Sequence, residues 1–181
     1  MITARYRDAF TVAELAVTVV VIIVVAGLVL GTSRYILTKA KRSRAEVEIT
    51  AISTALENYR VDNGAYPSNR ETTLLNPATT NPIAYRSASS FLYSQLTGDD
   101  DANPLTPPSN AKNYFGISLK PAMLGPSPPG PLTYLQDPFK NSYGYSTAKA
   151  ENPNETIGNN PTFDLWSTAN SSDPSQWIKT W

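Results

Sequence analysis

Phe10-Thr-Val-Ala-Glu14-Leu-Ala-Val-Thr-Val-Val-Val-Ile-Ile-Val-Val-Ala-Gly-Leu-Val-Leu-Gly31 holds one ionisable side chain, Glu14. From Leu15 to Ser33 no residue is charged, and a helix over that length spans roughly 28 Å at 1.5 Å per residue, close to the hydrocarbon thickness of a bilayer. The stretch therefore reads as a membrane-inserting helix that carries an acid near its start. An ionised carboxylate at mid-bilayer costs on the order of 2.5–3.5 kcal/mol and less near the interface. Glu14 thus reads either as an interfacial group solvated by headgroups or as a group with a partner.

The polar leader Met1–Ala9 holds Arg5, Arg7 and Asp8. An ordinary secretory signal would put neither an acid at the start of its apolar core nor so long an uncharged run there. An uncleaved signal anchor fits both features. Arg34, Lys39, Lys41, Arg42 and Arg44 follow the span, so charge distribution alone places the C-terminal side in the cytoplasm.

The helix continues beyond the span. Ala45, Ile49, Ile52, Leu56 and Tyr59 form a narrow apolar stripe at helical spacing, with Glu46, Glu48, Glu57 and Arg60 on the other faces. The stripe is too short for an independent coiled coil and is expected to pack on the chain's own domain. Asn63-Gly64 and then Pro67 stop the helix. One helix from about Phe10 to Asp62 results.

Basic and acidic side chains balance at 15 each in a chain of 181 residues. Eight basic and five acidic groups lie up to Val61, and seven and ten follow. The mildly acidic remainder argues against nucleic acid as a partner. Cys and His are both absent, which excludes disulfides, thiolate sites, imidazole bases and His-ligated zinc. Most of the prolines and glycines come after residue 60, so short strands and long loops are expected there. Phe91–Leu96 reads as a short helix against the stripe. Tyr114–Leu119, Leu132–Leu135, Tyr143–Thr147 and Phe163–Ser167 read as strands. Asp137–Asn141 joins two of them into a hairpin, and Pro121–Pro131 is an extended loop. The expected class is α+β, a long N-terminal helix on a small antiparallel sheet.

Ser146-Thr-Ala-Lys149 matches a Ser-x-x-Lys pattern without its companion elements and at a strand end. Asp99, Asp101 and Asn103 alternate like calcium ligands, but Pro104 and Asn110 stand where an EF-hand needs Gly and Glu; a solvated acidic loop is expected. No active site is expected.

Ala9-Phe10-Thr-Val-Ala-Glu14-Leu15 resembles the processing signal of type IV pilins and type II secretion pseudopilins. The resemblance implies cleavage between Ala9 and Phe10 by a prepilin peptidase, N-methylation of Phe10, and a role for Glu14 and Phe10 in subunit assembly. The family's usual residue before the cut is Gly. Leu56–Pro67 resembles the helix end of major pseudopilins. Asp137–Tyr145 resembles their Asp-Pro-Trp-Gly-Asn-Pro-Tyr hairpin, with Phe139, Lys140 and Ser142 as departures. Phe163–Ser167 is similar to the strand before their calcium loop, where Ser167 and Asp173, along with backbone carbonyls, are the oxygens offered to a weakly bound calcium ion. Residues 68–131 have no evident counterpart.

The resemblance implies a leader at 1–9, an assembly and transmembrane half-helix at 10–33, an amphipathic half at 34–63, a variable region at 64–131 and a sheet region at 132–181. It implies an inner-membrane subunit with a periplasmic C-terminal domain, which polymerises with its own kind or other pseudopilins on an inner-membrane assembly platform. A type IV pilin subunit and a single-pass anchored binding protein are the alternatives.

Overall fold

A computed structural model of the chain describes residues 11–99, 112–116, 119–126, 133–154 and 156–181; the side chains of residues 29–33 are outside the description. Helix α1 runs Val12–Asn63. Its end follows the sequence signal: Gly64 adopts φ +79°, and its N–H donates to the Arg60 carbonyl at 2.8 Å. Glycine takes that left-handed conformation without the Cβ clash that other residues meet. The chain divides into two units, Met1–Ala40 and Lys41–Trp181.

In the second unit the α1 stripe is buried as its spacing predicts. Ala45, Ile52 and Leu56 are fully covered and Ile49 nearly so. They share one core cluster with Leu92, Leu96, Leu135, Tyr143, Tyr145 and Leu165. Burying each such aliphatic side chain contributes about 1.5–3 kcal/mol, so this stripe fastens the outer half of α1 to its own domain. Ala55 joins it, and Tyr59 packs at its edge.

Helix α2 (Arg70–Thr73) is a single turn, fixed by a capping box between Asn69 and Thr72. Helix α3 (Arg86–Thr97) includes the expected Phe91–Leu96 and starts earlier, because a 3-10 turn at Pro82–Tyr85 feeds directly into it. It ends on Gly98 at φ +71°. Helix α4 is Ala148–Glu151.

The strands are shorter than the sequence suggests and form two sheets. β1 (Leu124–Gly125) pairs antiparallel with β2 (Tyr134–Leu135). β3 (Gly144–Ser146), β4 (Asp164–Ser167) and β5 (Ile178–Lys179) form the second sheet in that order, also antiparallel. An isolated bridge, Gln136 to Ser142, links the two across the Asp137–Asn141 turn. Two expectations are corrected, and one strand is new. Tyr114–Gly116 is a turn whose Asn113 carboxamide oxygen accepts from the N–H groups of Phe115 and Gly116, which takes donors that a strand would use. β1 lies inside the Pro121–Pro131 stretch, which had read only as loop. β5, too short for an alternating pattern, was not anticipated.

Gly144 of β3 is paired with Trp166 of β4. A Cβ there would stand 2.1 Å from the Trp166 ring, so only glycine lets the indole lie across its strand neighbour.

Candidate assembly site

Thr11 and Glu14 form the start of α1. The Thr11 N–H and hydroxyl donate to Glu14 Oε2 at 2.9 and 2.8 Å, and the Glu14 N–H donates to Thr11 Oγ1 at 3.2 Å. This is a reciprocal capping box, with Thr as N-cap and Glu three residues on. Its sequence signal, Thr-x-x-Glu, stands at 11–14. Phe10 and the Ala9–Phe10 junction lie outside the described residues.

Beyond the cap, every described side chain through Leu28 is exposed. Val17, Val20, Ile22, Ile23 and Val24 are each more than half exposed and point to all sides of the helix. Among the described residues no helix is long and apolar enough to cross a membrane; the fully described apolar part, residues 12–28, falls short of the roughly 20 residues that a span requires. The expected span at 15–33 thus lies partly outside the described side chains.

Glu48 departs from expectation. It was placed among the polar faces of α1, yet it is only 5% exposed. Its carboxylate pairs with Arg44 Nε at 2.6 Å and accepts from the Tyr143 hydroxyl at 2.8 Å. Residue 48 lies one turn from both Ala45 and Ile52, so it shares their face; a buried acid is tolerated there because both oxygens have donors. Burial and the adjacent Glu48 charge push the Tyr143 hydroxyl well above the ordinary tyrosine range.

Asp137 organises the turn that joins the sheets. Its Oδ1 accepts from the N–H groups of Phe139 and Asn141 at 2.8 and 2.9 Å, and its Oδ2 accepts from the Ser167 hydroxyl. It is fully buried, and burial, reinforced by the charge of Glu48, raises its carboxyl above the usual value despite these donors. Lys140 in the same turn sits at φ +74°, the left-handed region that disfavours a side chain.

The two oxygens offered to calcium have other roles. Ser167 is fully buried and donates to Asp137. Asp173 caps the 3-10 turn Pro174–Gln176, where the Ser175 N–H and hydroxyl hold its carboxyl below the usual range. No group of three or more acidic side chains able to hold a metal occurs among the described residues. Calcium wants six to eight oxygens, and this donor set does not fit it. Ser146 is also committed, donating to the Leu75 carbonyl at 2.8 Å. Asp99 is buried and accepts from the Tyr93 hydroxyl at 2.7 Å where a solvated loop was expected, because that tyrosine of α3 reaches the residue just past the helix end. Asp101 and Asn103 lie outside the described residues.

Residues 35–113 match the family model for protein G of the type II secretion system. The type II secretion system core protein G of Pseudomonas aeruginosa is 37% identical over 67 residues, covering 37% of this chain and 47% of that protein, so the chain spans about half the length of the curated relative it matches. No solved structure matches the chain. The match reaches past Leu56–Pro67 into the region after residue 68, where the residues alone had offered no counterpart. The outer half of α1 and the segment beyond it are therefore similar to type II secretion system protein G, the pseudopilin family that Leu56–Pro67 resembles.

Proposed function

We propose that the chain is a pseudopilin-like structural subunit, inserted in the inner membrane as a precursor, trimmed before Phe10 by a prepilin peptidase and polymerised through α1 into a periplasmic filament of a type II secretion-like system. One observation carries the reading. The half of α1 that resembles protein G spends its apolar stripe on its own domain, while residues 15–28 carry no charge, expose aliphatic side chains on every side and need cover from lipid or from other copies. Moving that helix from lipid into a core of like helices loses little hydrophobic stabilisation, because both surroundings are apolar. By family analogy, the Phe10 amine of one copy meets Glu14 of the next, and this charge pair fixes axial register where an unpaired carboxylate would be penalised. The subunit has no chemistry of its own; its work is packing.

The capping box favours one rival. A Glu14 already satisfied by Thr11 suits a single-pass anchored binding protein in which the acid only starts a helix. The N-terminus separates the two. Mass spectrometry of the chain purified from membranes is expected to find a polypeptide beginning at N-methylated Phe10. An intact Met1, or a cut beyond Gly31, would support the anchor or a cleaved signal instead.

A further inference from the structure

A groove of about 420 Å³ runs between α1 and the segment before β1, within the size range of ligand pockets. Its lining includes the apolar Val47, Ala51 and Met123 and the basic Arg44 and Lys120. Val47 is 66% exposed. The charge of Arg44 is matched by Glu48, whereas the exposed Lys120 ammonium has no ion pair among the described residues. The groove therefore asks for an apolar side chain with a carboxylate close by.

The same unit carries such a feature on another surface. Its exposed large aliphatic side chains, among the described residues, are Val47, Val61, Leu74 and Ile83. Val47 belongs to the groove, Asp62 beside Val61 is taken by Lys112, and the Pro82–Tyr85 turn holding Ile83 has no acid. Leu74 ends α2, and Glu71, three residues earlier, is exposed and has no ion pair among the described residues. This knob is held firmly: the Thr147 N–H donates to the Thr72 carbonyl at 3.1 Å, and the two threonine hydroxyls are 2.9 Å apart.

Knob and groove sit at opposite ends of β3. Tyr143, just before the strand, bonds to Glu48 in the groove, and Thr147, just after it, bonds to α2; four residues of strand span about 13 Å. We propose that the Glu71–Leu74 knob of one copy docks in the Val47–Ala51–Lys120 groove of the next, with Glu71 paired to Lys120. Because the two surfaces differ, the contact is heterologous and propagates head to tail. The inference rests on the filament reading above and names the contact its globular units make.

The absence of cysteine makes cross-linking clean. A full-length chain carrying both V47C and L74C, oxidised in membranes, is expected to give a ladder of disulfide-linked multimers, with V61C/L74C giving little. Glu71→Lys should cut the ladder about two- to five-fold, the range for one exposed ion pair, and adding Lys120→Glu should restore it. All these positions are exposed, and unchanged thermal midpoints check that each variant folds. Filaments visible by electron microscopy without a ladder would overturn this contact alone. Adducts only to a protein of another mass would also overturn it, in favour of a foreign partner. Neither ladder nor filaments from a folded chain would overturn the contact and the filament reading together.

Discussion

Asp137 shows how one side chain can hold a turn and burden it at once. Three donors fix its carboxylate, but the site is dry and faces Glu48 of α1, Tyr143 beside β3 and Ser167 of β4. Its folded-state pKa is raised from the ordinary 3.8. The stability it contributes is therefore complete below that unfolded value and is lost as pH rises through the folded value. Relative to Asp137→Asn, the native chain should lose thermal stability on going from about pH 4 to neutrality; a gap that moves the opposite way would refute the burial-driven shift. Lys140 tests the same turn from its backbone. The residue aligned with it in the pseudopilin hairpin is glycine, and at φ +74° Lys140→Gly should stabilise by about 1 kcal/mol in denaturant unfolding. Lys140 departs from the motif in sequence, and its positive φ gives that departure a conformational cost. Asp137 was legible as a turn residue, whereas its bond to Ser167 was not, because the two are distant in sequence and nothing local signals the pairing.

At the scale of elements, α1 was the most legible feature because its signals are local and repeated: apolar spacing, the Asn63-Gly64 stop and the absence of proline before Pro67. Glu48 is the exception: polarity ordinarily marks an exposed face, yet residue 48 is one turn from Ala45 and Ile52 and shares their burial. Tyr143→Phe removes one of its two donors and should cost about 1.5–3 kcal/mol, the range for a hydrogen bond to a charged group, measured by denaturant unfolding of the detergent-solubilised chain. The expected strands overlap β2, β3 and β4, while β1 and β5, two residues each, hold no periodicity to detect. Gly144 marks the tightest contact between strands. Gly144→Ala should destabilise by up to about 3 kcal/mol through overpacking against Trp166; a near-neutral effect would mean that the indole can move aside.

For the whole molecule, the α+β class followed from one long helix pattern and a proline-rich remainder, and the structure bears it out. The division into two sheets did not follow, since one bridge at Gln136–Ser142 leaves no trace in residue spacing. Glu14 stands out in the sequence by its cost in lipid, and its capping box with Thr11 gives it a second, local role. The cap now gives the sharpest test. Gln at the third position of a capping box can still reach the backbone, so Glu14→Gln keeps the helix start and removes only the charge. Filament yield by electron microscopy should be compared for the native chain, Glu14→Gln and Glu14→Ala at equal membrane insertion. If Glu14 pairs with the amine of a neighbouring copy, both variants lose filaments. Filaments at native yield from Glu14→Gln would contradict it and leave Glu14 as a helix cap.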